Sequence, residues 1–553
     1  MRRRLRTYLD RAFTGSSLLS ILMMSAALVI ILAPMMYRGS KAVLFRGTVE
    51  FRKMQLNEPM FHRGNSQAIA EETERTEAAR KPVYDLLERF GALLDTELSQ
   101  KRARRLYREL KKQLRNRVEN GEISQDRCDE LQGRAKQLRN ALVDAYEAGD
   151  NETAQRKLAV VLEPGNSALL AGTVGEQLVG EAGSYAEILQ TMDLSQRGLY
   201  RREYLAVKDI VGKLLGPPPE QRGQAHLTEF RYGATRWDRA RQLLDELLWK
   251  TTWAAQENGG ALSEGRTKRA DLFRQTQLAR LFDIIERDAE KMLAPKRTFY
   301  WQYFIDDCTP GHLFGGVGPE ILGTVLLTAL AIGFSVPLGI VSAAYLIECK
   351  RDSCFVRAVR VCINTLAGVP SIVFGLFGLA FFLDWLPARA PWLGFRPGSN
   401  ILAGALTLAI LVLPIIIRAS EEAIRSVPRT YKEAALATGA GGLRTFLTVT
   451  LPAALPGILT GIVLSLGRAA GETAPILFTA AVAWRMGMPR SLLEGGTRAL
   501  SYSSYDVAVG DRVAMDAPHN QYGMVMTLVL LVLLLNMFAI VIRSRVARKL
   551  RGQ

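Results

Sequence analysis

Six long apolar segments constrain the fold of this chain more than any other feature of its sequence. They cover residues 17–36, 320–347, 358–385, 400–417, 456–484 and 522–542. Each is long enough to cross the hydrocarbon core of a bilayer as an α-helix. Because lipid offers no hydrogen bonds to the backbone, segments of this kind form helices. The sequence therefore predicts an all-α polytopic membrane protein with six transmembrane helices.

Basic residues flank the first and last of these spans. "MRRRLR" precedes the first and "RSRVARKLR" follows the last. Since Lys and Arg concentrate on the cytoplasmic side, both termini are predicted to be cytoplasmic, which agrees with an even number of spans. The net charge of +17 then reflects membrane flanks, and we expect no nucleic-acid binding. The first span is too long for a signal peptide and lacks a clear cleavage site, so we interpret it as an uncleaved anchor.

The residues between the first two spans have the character of a soluble domain. Within 38–316, apolar residues recur at steps of three and four, which is typical of amphipathic helices. The clearest cases are Leu86, Leu87, Phe90, Leu93, Leu94, Leu98 and then Leu278, Leu281, Phe282, Ile285, Ala289, Met292. We predict a tail and anchor at 1–37, a mostly helical periplasmic domain at 38–316 and a membrane domain at 317–553. The insert is either a solvated helical domain packed on itself or a docking or sensing module.

The cysteines and histidines predict no metal site. Cys349, Cys354 and Cys362 lie near a predicted cytoplasmic turn, where thiols stay reduced, and their spacing matches no zinc ligand set. The four histidines are scattered along the chain. Cys128 and Cys308 fall in the insert, where a disulfide between them is an alternative to two free thiols.

The predicted cytoplasmic loop at 418–455 contains the most specific motif of the chain. It includes "YKEAALATGAGGLRTFLTVTLP", in which a short helix and a glycine-rich turn precede the next span. Small residues on such a helix allow close contact with another protein, which an ordinary polar loop does not require. Its remaining charges are interpreted as solvated or as ATPase contacts: Glu421, Glu422, Arg425 and Arg429.

This motif resembles the coupling-loop signature of ABC importer permeases, with Val449 in place of the usual Ile. The resemblance implies that the loop docks on a separate ATPase subunit through Glu433, Ala434, Ala435, Gly439, Leu451 and Pro452. The chain contains no G-x-x-x-x-G-K-[ST] phosphate loop. It is therefore predicted not to be an enzyme and to hold no cofactor itself, with ATP and Mg bound by the partner ATPase.

Further stretches of the sequence resemble one particular group of ABC importer permeases. "AGVPSIVFGLFG" (367–378) and "GRAAGETAPILFTA" (467–480) resemble the A-type permeases of phosphate-specific ABC importers, as does "VPLGIVSAAYLIE" (336–348). The first span and insert resemble a longer bacterial variant. The resemblance implies type I importer architecture in the bacterial inner membrane, with residues 317–553 forming half of a translocation pore. It also implies several partners: a C-type permease, a homodimeric ATPase, a periplasmic phosphate-binding protein, a phosphate-signalling regulator and membrane lipid.

The fifth span contains two charges, Arg468 and Glu472. Charged residues in spans usually face a bundle interior or a water-filled path, and the planar guanidinium group suits an oxyanion. The pair is therefore a candidate for the substrate path. The alternatives are a structural ion pair four residues apart on one helix and a position at the membrane interface.

Ser371 and Thr473 are candidate hydroxyl donors to the anion. The alternative for both is a packing role in which the hydroxyl bonds to the backbone. Two other functions stay open: a permease for sulfate or molybdate, and a phosphate-responsive membrane sensor or scaffold. A receptor would carry a signalling domain after its spans, where this chain has only "RSRVARKLRGQ".

Overall fold

The computed structural model describes residues 2–58, 60–190, 192–218, 234–254, 263–349, 354–487, 491–509 and 518–550. The chain divides into one unit at Arg46–Arg297 and a second formed by Met1–Phe45 and Thr298–Gln553. The first unit is shorter than the insert predicted at 38–316, because residues 298–316 fold with the membrane segments. The predicted turn at 350–353, the loop at 510–517 and the side chains of Leu93 and Cys349 lie outside the description.

The helices and strands follow the chain in this order. After α1 (Arg2–Ser40) come β1 (Leu44–Gly47), α2 (Val49–Asn57), α3 (Ser66–Leu94), α4 (Thr96–Glu119), α5 (Gln125–Glu147), α6 (Asn151–Val161), α7 (Pro164–Leu170), α8 (Glu176–Leu189), α9 (Arg197–Leu215), α10 (Trp237–Leu248), β2 (Trp249–Ala254), β3 (Ser263–Lys268), α11 (Arg269–Leu272), α12 (Ala279–Leu293) and β4 (Lys296–Phe299). The second unit continues with α13 (Gly318–Ala344), α14 (Cys354–Leu366), α15 (Ser371–Gly378), α16 (Leu386–Arg389), α17 (Ile401–Ser426), α18 (Arg429–Ala437), α19 (Gly442–Thr445), α20 (Leu451–Gly471), α21 (Ala474–Leu477), α22 (Leu500–Val509) and α23 (Pro518–Leu550). Short 3-10 turns occupy Leu194–Gln196, Trp301–Phe304, Pro310–His312 and Pro391–Leu393, and π-helical turns occupy Tyr345–Cys349, Leu379–Trp385 and Phe446–Thr450.

The unit Arg46–Arg297 is mostly helical, as predicted. Polar side chains begin its helices by accepting hydrogen bonds from free backbone N–H groups, and these caps are Asn65, Asp95, Ser124 and Asp150. The second apolar stretch is confirmed as a core face, because all six of its members from Leu278 to Met292 are buried. Leu98 is 55% exposed, since Asp95 ends α3 and starts a new helix with a different face.

Two smaller features complete this unit. Strands β2 and β3 form an antiparallel hairpin in which Trp249 pairs with Lys268. Cys128 is buried in the helical core as a free thiol, and Cys308 is also free and buried, so the predicted alternative of a disulfide between them is wrong.

Six described helices are long and apolar enough to cross a membrane. They are Phe13–Ser40, Gly318–Glu348, Ser371–Arg389, Ile401–Ser426, Gly442–Gly471 and His519–Lys549. The number of spans predicted from sequence is therefore confirmed. The fourth continues to Ser426, beyond the predicted end at residue 417, so its last charges lie on a helix and not in a loop.

The third span is not the single helix predicted at 358–385. Helix α14 ends at Leu366, and α15 begins at Ser371 after Pro370. Proline lacks the backbone N–H that a continuous helix would need, and it disfavours helical backbone at the residue before it. The break turns this region into two separate helices.

The fifth span ends at Gly471, earlier than the predicted residue 484. Glu472 has extended backbone (φ −77°, ψ 127°), and the short helix α21 follows with Pro475 near its start. Pro475 cannot donate a hydrogen bond to the carbonyl group of Gly471, four residues earlier, so a helix cannot continue through this point. Residues 472–481 therefore form an irregular segment beside the end of α20.

Glycines allow this irregular segment to pack closely against α15 and α17. A Cβ atom at Gly375 would lie 2.7 Å from the carbonyl oxygen of Ala474, and one at Gly404 would overlap the side chain of Ala480. The backbone N–H of Asn400, the cap of α17, donates to the carbonyl oxygen of Thr479 at 2.9 Å. Close contact of this kind protects backbone polar groups from lipid.

Replacing Gly404 with Val is expected to displace the irregular segment. Overpacking of a close contact usually costs about 1–3 kcal/mol in the free energy of unfolding. Thermal unfolding of the purified full chain in detergent measures this loss. Gly333→Val is the matched control, because no described atom lies within 4 Å of a Cβ at Gly333. Equal stability of the two variants would contradict the close contact.

Candidate functional site

Arg468 and Glu472 form an ion pair at the point where α20 ends. The Nε atom of Arg468 lies 3.2 Å from Oε1 of Glu472. Arg468 belongs to the last turn of the helix, where the partial negative charge of the helix end favours a cation, whereas Glu472 lies beyond it. The pair therefore joins a helix end to the irregular segment, and it is not a pair along one continuous helix.

The pair lies on the exposed side of α20. Leu464, Arg468 and Gly471 are exposed at steps of four and three, which places them on one face of the helix. The side chains of Arg468 and Glu472 are 43% and 20% exposed. A charge at the centre of a bilayer costs about 2.5–3.5 kcal/mol. We therefore expect this face to meet a polar path or a second subunit and not lipid.

Ser371 and Thr473 belong to two segments that pack against each other, because Gly375 of α15 lies close to Ala474 and Pro475. Ser371 is the first residue of α15, and Thr473 immediately precedes α21. Both residues are half-buried, and among the described residues neither hydroxyl has a hydrogen-bond partner. Their two predicted roles, as donors to the anion and as packing groups, stay predictions. The contact that the structure shows within the predicted set is the one between Arg468 and Glu472.

A polar cavity that the sequence did not predict lies beside the C-terminal half of α17. It has a volume of about 590 Å³ and is lined by Arg360, Ile363, Asn364, Arg418, Ala419, Glu421, Glu422 and Arg425. Glu421 accepts hydrogen bonds from Arg360 at 3.0 Å and from Arg425 at 2.8 Å. Its side chain is only 14% exposed, so the interpretation of Glu421 as a solvated loop charge is wrong. Arg418, Glu421 and Arg425 are spaced at steps of three and four, which could have indicated that the helix continues beyond the predicted end at residue 417.

The predicted coupling residues divide into two groups. Glu433, Ala434 and Ala435 lie on α18, which has no buried residue, and Gly439 follows it with a left-handed φ of 85°. An open groove of about 600 Å³, the coupling groove, runs along this turn. It is lined by Tyr431, Ala434, Ala435, Thr438, Gly439, Ala440, Arg444, Thr448 and Val449. Exposed small and apolar residues with a surrounding polar rim are typical of a protein docking surface.

Leu451 and Pro452 are not among the residues that line this groove. Leu451 packs against a buried cluster that includes Ala343 and Ile458, and Pro452 occupies the first turn of α20. They connect the groove to the membrane helices. A second connection is the ion pair between Lys432 of α18 and Glu348 at the end of the second span.

A mostly buried polar cluster joins the segment just before α13, the first turn of α13 and the residue Arg498 just before α22. It contains Asp307, Cys308, His312, Glu320 and Arg498. Cys308 Sγ lies 3.2 Å from Nδ1 of His312, and a nitrogen of the Arg498 guanidinium lies 2.9 Å from the same sulfur. Burial raises the pKa of the Cys308 thiol well above its usual range. Burial, together with the positive charge of Arg498, lowers the pKa of His312 to about 4, so that its imidazole is neutral at pH 7.

Sequence analysis did not predict this cluster. Arg498 is far from the other members in sequence, and Cys308, His312 and Glu320 are not distinctive when each is considered alone. The prediction of no metal cluster considered the histidines as scattered and paired Cys308 only with Cys128. The spacing Cys308-x3-His312-x7-Glu320 was the available signal. The structure brings these three potential ligand atoms within 4.8 Å of one another.

Comparison with known proteins defines the class of this chain. The profile of the family described as "Binding-protein-dependent transport system inner membrane component" matches residues 335–552. In the structure, these residues include the coupling groove, the irregular segment and the Arg468–Glu472 pair. The class is therefore a multi-pass membrane permease of an ABC importer, a transporter subunit and not an enzyme, which works with an ATPase and a substrate-binding protein.

Individual relatives indicate which kind of ABC importer permease this chain is similar to. Phosphate transport system permease protein PstA 1 of Mycobacterium tuberculosis strain H37Rv is 32% identical over 263 residues, covering 48% of this chain and 81% of the relative. The protein PstA of Yersinia pestis is 38% identical over 170 residues, covering 31% and 54%. A solved structure of the MetNI methionine ABC transporter covers 42% of this chain and 94% of its own, at 19% identity and a TM-score of 0.32. This chain belongs to the PstA family of ABC importer permeases.

Proposed function

We propose that the chain is the A-type permease subunit of an ATP-driven importer of inorganic phosphate. The observation that carries the proposal is the Arg468–Glu472 ion pair on the exposed face of α20, at the break between the helix and the irregular segment. The names of the relatives support phosphate as the substrate. Arg468 offers a planar set of donors to the anion, and Glu472 holds the guanidinium group between visits of the substrate.

The exposed face of α20 meets a C-type permease in this proposal, so that the pore forms between two subunits. A periplasmic binding protein delivers phosphate at the external side. The hydroxyl groups of Ser371 and Thr473, which are free of protein partners among the described residues, add donors along the path. The polar cavity beside α17 provides Arg360 and Arg418 where the anion leaves toward the cytoplasm.

The coupling groove receives the partner ATPase, a homodimer that binds ATP and Mg. Closure of this dimer pushes on α18, and the Lys432–Glu348 ion pair and the packing of Leu451 carry the movement to the second and fifth spans. Both chain termini and the groove lie on the cytoplasmic side of the bacterial inner membrane, whereas the unit Arg46–Arg297 lies in the periplasm. This arrangement follows from the basic flanks of the first and last spans.

Uptake of labelled phosphate tests this function. Cells that lack their own high-affinity phosphate uptake would receive this chain together with a C-type permease, an ATPase and a phosphate-binding protein from the same organism. Phosphate uptake that depends on this chain, and that a large excess of unlabelled sulfate or molybdate leaves unchanged, is the expected result. Inhibition by sulfate or molybdate would instead identify another oxyanion importer. The absence of any uptake, with a phosphate-dependent signalling response, would identify a sensor or scaffold.

A further inference from the structure

The buried cluster before α13 contains side chains of the three types that bind transition metals. Cys308 and His312 are each 2% exposed, and Glu320 is fully buried. Cys308 Sγ lies 3.2 Å from His312 Nδ1 and 3.7 Å from Glu320 Oε1, and the last two atoms are 3.7 Å apart. These residues lie at the start of the second span, whereas the other end of that span contacts α18 through Glu348. The transport path proposed above does not use them.

The three distances fit one tetrahedral zinc ion. Zinc binds thiolate sulfur at about 2.3 Å, imidazole nitrogen at about 2.0–2.1 Å and carboxylate oxygen at about 2.0–2.2 Å, which places neighbouring ligand atoms about 3.3–3.6 Å apart. Pair by pair, a regular tetrahedron with these bond lengths gives about 3.5 Å between sulfur and nitrogen, about 3.6 Å between sulfur and oxygen and about 3.4 Å between nitrogen and oxygen. The observed pairs differ from these values by about 0.1–0.3 Å, so the three ligands would close on the ion by shifts of a few tenths of an ångström. The second carboxylate oxygen of Glu320 is buried and has no hydrogen-bond partner among the described residues.

Surrounding groups hold two of the three ligands in place. Trp484 donates a hydrogen bond to the carbonyl oxygen of Cys308 at 3.3 Å, and Asn520 donates to the carbonyl oxygen of His312. The Nε2 atom of His312 is buried and has no hydrogen-bond partner among the described residues.

Arg498 is the feature that a metal site must accommodate. Its guanidinium group contacts Cys308 and Glu320 and forms an ion pair with Asp307. Two carboxyl groups thus face a single cation. Binding of Zn²⁺ releases the thiol proton of Cys308 to solvent and forms the sulfur–zinc bond. The site then has three negative charges, on the thiolate of Cys308 and on the carboxylates of Glu320 and Asp307. Zn²⁺ and Arg498 together supply three positive charges, so that the occupied site is neutral.

We propose that Cys308, His312 and Glu320 form a structural zinc site at the start of the second span. The three protein ligands leave the fourth tetrahedral position for a water molecule. The ion would fix the turn that contains Cys308 and His312 to the first turn of α13. Because all three ligands are enclosed, we expect the ion to be acquired during folding and exchanged slowly.

Metal analysis of the full chain tests the site. The protein would carry an affinity tag without histidines, be produced with added zinc and be purified in detergent. We expect about one zinc ion per chain for the unaltered protein, with loss of most of it in Cys308→Ser and Glu320→Gln. Cys128→Ser is the matched control, because Cys128 is also a buried free thiol but lies outside the cluster, and it should keep its zinc. Substoichiometric metal in the unaltered protein, or undiminished metal in Cys308→Ser, would overturn the proposal.

Cobalt substitution separates metal binding from folding. A cobalt ion bound to a cysteine thiolate gives a sulfur-to-metal charge-transfer absorption in the near ultraviolet, which a merely structural role of Cys308 would not produce. The variant in which the other four cysteines are replaced by serine keeps Cys308 and should retain this absorption. Its absence from that variant and from the unaltered protein would exclude the site even where Cys308→Ser fails to accumulate.

Discussion

Arg468→Ala is expected to lower phosphate uptake by about 10- to 100-fold while the subunit still assembles in the membrane. A hydrogen bond to a charged group is worth about 1.5–3 kcal/mol, and each 1.4 kcal/mol corresponds to a factor of ten. Removing the guanidinium group also leaves the carboxylate of Glu472 without the cation that it contacts at 3.2 Å. Initial rates of labelled phosphate uptake, normalised to membrane-inserted protein and to co-purified ATPase, measure the effect.

Glu472→Ala is expected to impair uptake as well, since it leaves Arg468 without its partner. Arg543→Ala is the matched control, because Arg543 is a half-buried arginine that contacts α20 through Thr460, away from the proposed path, and its uptake should be near normal. The exchange Arg468→Glu with Glu472→Arg distinguishes the two roles of the pair. A structural ion pair should recover uptake in the exchanged protein, whereas a substrate contact should not. Normal uptake by both single variants with normal assembly would rule out the path.

The length of apolar segments was enough to predict the six spans, because a helix that crosses lipid must satisfy its own backbone. It was not enough to predict where two of them break. Pro370 and Pro475 mark those breaks, but prolines are tolerated within membrane helices, as Pro414 inside α17 shows. Packing decides which proline ends a helix. At residues 472–481 the close contacts at Gly375 and Gly404 replace the missing helical hydrogen bonds with tertiary ones.

The candidate site was predictable where its residues are close in sequence. Arg468 and Glu472 are four residues apart, and the motif from Glu433 to Gly439 is continuous. The contact of Arg498 with Cys308 and Glu320 was not predictable, because Arg498 lies 190 residues after Cys308, whereas Cys308, His312 and Glu320 are close in sequence. Contacts of that separation depend on how the spans pack, which hydrophobic periodicity does not specify.

Ala434→Trp is expected to abolish ATP-driven uptake by blocking the coupling groove. Ala434 is exposed on α18 and lines the groove of about 600 Å³ together with Gly439. An indole group there would occupy the space in which the ATPase surface must fit, and a steric clash in a docking surface lowers the affinity for the partner. Because α18 has no buried residue, the substitution should leave the fold of the permease intact. The measurements are uptake, co-purification of the ATPase and thermal unfolding of the permease alone.

Ala437→Trp separates blocked docking from a general effect of a large side chain on this helix. Ala437 is exposed on the same helix but is not among the residues that line the groove. If the groove is the docking surface, Ala437→Trp should retain the ATPase, whereas Ala434→Trp should lose it at unchanged thermal stability. Equal retention by both variants would place the ATPase contact elsewhere. Loss in both would mean that the whole exposed surface of α18, and not the groove alone, carries the contact, since an exposed helix without buried residues can be covered from more than one side.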